Sequence, residues 1–362
     1  MALHFHPLTV KRVTPDAAGC AAITLAVPDA LREQFDFRPG QFLTLRATIG
    51  AEETRRSYSI CSAHQRYLAS GEIDVGIKHV EGGRFSGWAV NELRPGQALD
   101  VMPPDGRFTP HLPDARHRVG FAAGSGITPI LSIVASTLES ETDSRFTLVY
   151  CNQRANTIMF NEALQDLKDR YPARLSLVHL LSRQPQEVQL LNGRLDEAKV
   201  TELLEALIPP GSIDEAFVCG PEAMIEGVER ALKTAGLPAD RIHAERFASP
   251  GTAAPQRART PGAAQAIEGH AHQLDVVIDG KTHHLSMRAD DHVLDAALDA
   301  GLDLPYSCKG GVCCTCRARV LEGRVEMDKN FTLEPWEIQR GFVLTCQSRP
   351  LTDKVVVSYD DR

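Results

Sequence analysis

Short runs of alternating apolar and polar residues fill the first third of the chain: LTVKRV, AAITLAV, QFLTLRA, EIDVGIKHV and ALDVM. Period-two alternation marks strands with one buried face. Between the runs stand FRPGQF, LRPGQ and PPDG, where proline and glycine supply turn geometry. This succession predicts an antiparallel β-barrel over residues 1–112. The pattern then changes. Over residues 113–248, HRVGFAA leads into ILSIVASTL, FTLVYCN into NEALQDLKDRY, LSLVHLLS follows, and EAFVCG leads into AMIEGVERALKTAG. Apolar strands alternating with helix-period segments predict a parallel α/β sheet. Residues 249–271 are rich in Ala, Pro and Gly and carry almost no large apolar side chain, so they are read as a linker. Residues 272–362 open on the hairpin pattern LDVVIDGKTHHLSM and the short helix pattern HVLDAALDAG, followed by a loop dense in cysteine.

A length of 362 residues suits two or three domains of this kind. The formal charge of -8 argues against nucleic acid as a partner, because phosphate binding needs an excess of Lys and Arg. No apolar run approaches the about 18 residues of a membrane span. The opening MALHFHPLTVKRV lacks the charged and apolar regions of a signal peptide, so a cytoplasmic protein is expected. Nine cysteines are unevenly placed: Cys20, Cys61, Cys151 and Cys219 are scattered, and five lie between Cys308 and Cys346. The odd count and the clustering favour reduced thiols with a local metal site over a disulfide framework.

Cys308, Cys313 and Cys316 have the spacing C-x4-C-x2-C, and Cys346 stands alone in VLTCQS. That is the plant-type spacing for a [2Fe-2S] cluster, in which four thiolates converge on a compact anion. Gly310, Gly311 and Thr315 let the backbone wrap closely and aim N–H groups at the sulfurs. Cys314 falls outside the spacing, and its side chain is expected to point away. Zinc and unligated thiols are the alternatives, although structural zinc usually shows paired C-x2-C or Cys/His spacing. The segments LPYSCKGGVCCTCRARVLEGRVEM and VLTCQSRP resemble plant-type ferredoxins, from about Leu274 to Arg362. The resemblance implies an α+β β-grasp domain holding a [2Fe-2S] cluster.

Two further motifs carry redox chemistry. RRSYSI contains R-x-Y-S at Arg56, Tyr58 and Ser59. Arg56 would pair with a pyrophosphate, Tyr58 offers a flat face to a flavin, and the Ser59 hydroxyl would hydrogen-bond near its reactive nitrogen. EGGRFSGW follows, with Gly83 and Ser86 framing the start of a helix whose N–H groups would face phosphate. In the α/β segment, FAAGSGITPI places Gly124, Gly126, Thr128 and Pro129 between a strand and a helix, a turn that admits a pyrophosphate. VCGPEAM adds Cys219 and Gly220 at the end of a later strand, where ligands bind in such sheets.

Over about residues 5–247 these motifs resemble the ferredoxin–NADP reductase superfamily. The resemblance implies FAD held by Arg56, Tyr58, Ser59, Gly83 and Ser86, with the nicotinamide nucleotide approaching over Gly124, Thr128, Cys219 and Gly220. Ser182 and Arg183, in LLSRQPQ, suit a 2′-phosphate, with Arg154 as a second cation, so NADPH is expected. Phe247, ending HAERF, is the candidate to cover the flavin ring. NADPH gives up two electrons as a hydride and a [2Fe-2S] cluster accepts one, so the flavin between them is the step-down element.

Three-part reductases of this kind serve oxygenases. In FHPLTVKRV, FRPGQFLTLRA, EGGRFS, AAGSGITPIL, HAERF and LPYSCKGGVCCTC, and in their order, the chain resembles the reductase subunits of ring-1,2-phenylacetyl-CoA epoxidases nearly end to end, and the resemblance implies a di-iron oxygenase as the electron acceptor. A reductase for a steroid hydroxylase, an aromatic hydroxylase or a hybrid-cluster protein is the alternative within redox enzymes. A flavin-dependent sensor and a zinc-stapled tail are the alternatives outside them.

Overall fold

The structure, a computed structural model, describes residues 4–247 and 271–361. They form two compact units, one built chiefly from residues 6–247 and one from residues 271–361. Residues 249–270 of the predicted linker lie outside the described residues, and Ala271, placed at its end, opens a strand instead.

The larger unit begins with six strands: β1 (His6–Pro15), β2 (Cys20–Ala26), β3 (Phe42–Ile49), β4 (Glu52–Ser59), β5 (Glu72–Lys78) and β6 (Ala98–Val101), with helix α1 (His64–Ser70) before β5 and α2 (Arg84–Asn91) after it. They form one sheet in the order β4-β3-β6-β1-β2-β5. A bridge from Ile60, just past β4, to Val75 of β5 brings the two edges together, which gives the curled sheet of a barrel. Alternate residues such as Leu8, Val10, Ile23, Leu25, Leu43, Leu45, Ile73, Val75 and Ile77 are fully buried inside it. Phe85 and Ala89 of α2 join the same core.

Five parallel strands follow: β7 (His117–Ala123), β8 (Arg145–Asn152), β9 (Leu175–Leu181), β10 (Glu215–Cys219) and β11 (Ile242–Glu245), in the order β11-β10-β7-β8-β9. The helices are α3 (Ile127–Ser140), α4 (Asn161–Arg170), α5 (Glu197–Ala206) and α6 (Glu222–Thr234). The chain starts at β7, winds outward to β9, then returns to β10 on the other side of β7. The order reverses between β7 and β10, and a crevice opens at such a point in doubly wound sheets. α3 is buried on nearly every side, from Ile127 to Leu138. Its core continues from the sheet into barrel residues Cys20, Cys61, Ala63 and Phe108. Ser132 and Ser136 of α3 serve that junction: Ser132 donates to the Ser62 carbonyl at 2.7 Å, and Ser136 accepts from the His64 N–H at 3.0 Å.

The smaller unit holds β12 (Ala271–Ile278), β13 (Lys281–Arg288), α7 (Val293–Asp299), β14 (Arg317–Glu322), β15 (Val325–Met327), α8 (Pro335–Gln339), β16 (Phe342–Leu344), β17 (Ser348–Pro350) and β18 (Lys354–Ser358). Its main sheet runs β13-β12-β18-β14-β16, with β12 and β18 parallel. Val293, Leu294 and Leu298 of α7 pack with Leu274, Val276, Val355 and Val357 of the strands, the mixed sheet and packed helix of a β-grasp. Among the described residues, no helix is long and apolar enough to cross a membrane.

Candidate electron-transfer site

The four spaced cysteines meet in the smaller unit. Cys308 is partly exposed, and Cys313, Cys316 and Cys346 are buried. They form two pairs, with Cys313 hydrogen-bonded to Cys308 and Cys316 to Cys346. Two paired thiols for each of two irons is the donor set a binuclear centre asks for. Among the described residues, no three Cys, His, Asp or Glu side chains are disposed to hold a single metal ion. Backbone donors support the charge. The Gly310 N–H donates to Cys308 Sγ at 3.3 Å. The bond from the Cys313 thiol, helped by the N–H groups of Gly310, Val312 and Cys313, lowers the Cys308 pKa to about 6. Hydrogen bonds from Cys316 and then from Gln347 and Gly311 likewise lower Cys346. The Thr345 hydroxyl donates to the Cys316 carbonyl at 2.9 Å and ties the last cysteine to the loop. Cys314 takes a left-handed conformation, φ 57°, and its sulfur lies 3.1 Å from the Thr332 hydroxyl, turned aside as its spacing implied.

In the larger unit, β4 carries Arg56, Tyr58 and Ser59. Arg56 is exposed, and the Tyr58 ring packs 5.6 Å from Phe85 of α2. α2 begins immediately after Gly83 with no side-chain cap on its first N–H groups, which suits a phosphate there. Ser86 is 6 % exposed and bonded within its own turn, donating to the Gly83 carbonyl and accepting from the Val80 N–H.

Gly124 and Gly126 occupy the turn from β7 to α3. Gly124 has φ +53°, and a Cβ on Gly126 would lie 2.1 Å from the Cys219 carbonyl oxygen, so only glycine lets this turn touch the one after β10. Cys219 and Gly220 thereby sit across the crevice from the glycine turn. The Thr128 hydroxyl donates to the Ser125 carbonyl at 3.0 Å and the residue is buried. At the ends of β8 and β9, the Ser182 and Arg183 N–H groups donate to the Asn152 and Gln153 carbonyls, both at 2.9 Å. The segments bearing Arg154 and Arg183 therefore run side by side. Both arginines are exposed. Phe247 is 37 % exposed at the end of the unit.

Two residues join the site that no motif announced. Glu245 ends β11, in register with Cys219 of β10, and accepts a hydrogen bond from Ser59 at 3.1 Å. Burial of its carboxyl raises its pKa to about 8. Burial, then the nearby Glu245, pushes the Cys219 thiol well up. A hydroxyl, a neutral thiol and a protonatable carboxyl thus share the mouth of the crevice. Lys78 ends β5, with its Nζ 3.8 Å from where a Gly124 Cβ would stand. It is exposed and makes no ion pair among the described residues. Neither residue was legible in sequence, because strand register brings in Glu245 and contact between barrel and sheet brings in Lys78.

The comparisons with known proteins follow the same three parts. The family of oxidoreductase FAD-binding domains matches residues 10–109. The family of oxidoreductase NAD-binding domains matches residues 121–230. The family of 2Fe-2S iron-sulfur cluster binding domains matches residues 276–351. The chain is 46% identical over 360 residues to one of the subunits of 1,2-phenylacetyl-CoA epoxidase of Escherichia coli (strain K12), covering 98% of each chain. It is 38% identical over 360 residues to the ferredoxin reductase component of 3-ketosteroid-9-alpha-monooxygenase of Rhodococcus rhodochrous, covering 97% of this chain and 96% of that one. The chain belongs to the flavin and [2Fe-2S] reductases of oxygenases. The fold of this reductase is also that of phthalate dioxygenase reductase, with a TM-score of 0.59 at 21% identity over 98% of each chain. The reductase has an FAD-binding domain, an NAD-binding domain and a [2Fe-2S] domain, in that order, and delivers electrons to an oxygenase.

Proposed function

We propose that this reductase carries electrons from NADPH to a di-iron oxygenase that epoxidises the ring of phenylacetyl-CoA. The observation that carries the acceptor is the likeness to the Escherichia coli epoxidase chain at 46% identity over nearly the whole of both chains. A bound FAD would supply the conversion of a two-electron hydride from the nicotinamide into the single electrons a [2Fe-2S] cluster takes. The chain's residues do the holding. Arg56 and the uncapped start of α2 at Gly83, its turn braced by Ser86, hold the flavin pyrophosphate, and Tyr58 lies along the flavin. Gly124, Gly126 and Thr128 shape the turn that admits the nucleotide pyrophosphate, and Lys78 neutralises its charge. Arg154, Ser182 and Arg183 take the 2′-phosphate, the contact that favours NADPH over NADH. Cys219 and Gly220 receive the nicotinamide, Ser59 and Glu245 fix its approach to the flavin, and Phe247 covers the flavin until the nicotinamide arrives. Cys308, Cys313, Cys316 and Cys346 hold the cluster.

The test is reconstitution. The purified reductase is mixed with the oxygenase component of a phenylacetyl-CoA epoxidase, phenylacetyl-CoA and either NADPH or NADH, and the epoxide is measured. Product with NADPH at a KM about tenfold or more below that for NADH is expected, the scale of charge-assisted hydrogen bonds. A second reading rests on the 38% likeness to the ketosteroid monooxygenase component. Coupling to that oxygenase and not to the epoxidase would replace the first reading with the second.

A further inference from the structure

His292, the residue before α7, is 8% exposed. Its Nε2 lies 2.8 Å from Asp328 Oδ2, and its Nδ1 lies 3.7 Å from Asp295 Oδ2. Each aspartate has a second attachment, and both lead to the cysteines. Asp295 Oδ1 accepts from Lys309 Nζ at 2.7 Å, and Lys309 follows Cys308. The Asp328 N–H donates to the Gln347 carbonyl at 2.9 Å, and Gln347 follows Cys346. The Gln347 side-chain amide closes the ring by donating to the Lys309 carbonyl at 3.0 Å, and it also approaches Cys346 Sγ at 3.5 Å. One loop of contacts therefore runs from His292 through Asp295, Lys309, Gln347 and Asp328 and back.

We propose that His292 is a positioning residue for the [2Fe-2S] centre and its proton partner, taking up a proton when the centre takes up an electron. This rests on the four-cysteine ligand set given above. The charged groups around His292 are Asp290 and Asp291 in the turn before α7, Asp295 on α7, Lys309 in the cysteine loop, Asp328 after β15 and Arg349 on β17. Arg349 is already paired with Asp328 at 3.0 Å. In this ring only the imidazole has an ordinary pKa near neutrality, so it alone changes charge there. The Asp295 and Asp328 carboxylates raise it from that range.

Reduction places one more negative charge on the centre. That charge favours the imidazolium, and by linkage the imidazolium favours the reduced centre. The step balances simply. One electron arrives from the flavin. One proton arrives from solvent and forms an N–H bond at Nδ1, turned toward Asp295, while the Nε2 proton stays on Nε2 and is donated to the Asp328 carboxylate. The charge change is transmitted to the ligand loop at both ends, beside Cys308 and beside Cys346.

The experiment is a reductive titration of the holoprotein at several pH values from about 6 to 9, with the cluster followed by electron paramagnetic resonance. The midpoint potential of the unmodified protein is expected to fall as pH rises through the imidazole's pKa and then to level off. His292→Gln, which keeps a hydrogen bond to Asp328, is expected to retain the reduced-cluster signal but to show a potential that no longer moves with pH. An unmodified protein with a pH-invariant potential, or a variant with an unchanged slope, overturns the proposal. A second measurement stands if the variant does not assemble. The His292 imidazole resonances are titrated in oxidised and in reduced holoprotein, and a higher apparent pKa in the reduced form is expected; equal values overturn the proposal. A holoprotein with no reduced-cluster signal at any pH would overturn the ligand set itself, and the proposal with it.

Discussion

Glu245 keeps its proton in the folded protein up to about pH 8, whereas an ordinary glutamate releases it near 4.5. The folded state therefore binds more protons than the unfolded chain between those values, so its stability falls as pH rises through that window. Below it, both states are protonated and nothing is lost. Glu245→Gln removes the titration and keeps a partner for Ser59. The melting temperature of the variant is expected to gain on that of the unmodified holoprotein from pH 5 to pH 8, with no further gain above. Parallel melting curves against pH would show that the carboxyl is ionised throughout. The neighbours of Glu245 were legible in sequence, because Ser59 sits in R-x-Y-S and Cys219 at an apolar strand's end. Glu245 itself lies in HAERF with no motif of its own. Its place is set by register with Cys219 and by reach from Ser59, neither of which a linear pattern contains. The cysteines are the opposite case, since their spacing alone picked out the four thiols that pair in the smaller unit and the outsider Cys314.

At the scale of elements, alternation identifies most strands because one face of each meets a core. The long apolar segment ILSIVASTL reads as a helix, and α3 is buried almost all round because the sheet covers one side and the barrel the other. α5 and β11 were not visible. α5 buries only Val200, Leu203 and Leu204 among charged residues, and β11 is four half-buried residues long. Two turns make the crevice, and their contact depends on Gly126. Gly126→Ala would set a methyl group 2.1 Å from the Cys219 carbonyl oxygen, a clash with backbone that a flexible side chain cannot relieve. Overpacking of this kind costs about 1–3 kcal/mol. The expected result is a lower melting temperature and a KM for NADPH that rises, while the absorbance of the [2Fe-2S] cluster is unchanged. An unaltered KM would mean that the nucleotide does not cross this turn.

For the whole molecule, three kinds of hydrophobic pattern in one chain foretold three kinds of domain, and the family matches follow them in the same order. What pattern could not convey is which acceptor the cluster serves, because acceptor recognition belongs to a surface and not to a periodicity. An anaerobic titration of the holoprotein with NADPH follows the path of electrons through the chain. Visible absorbance and electron paramagnetic resonance are recorded at each addition. The flavin is expected to bleach and a reduced [2Fe-2S] signal then to grow, whereas Cys313→Ser is expected to bleach its flavin and give no such signal. A flavin that bleaches in the unmodified protein with no cluster signal at any stage would contradict that path.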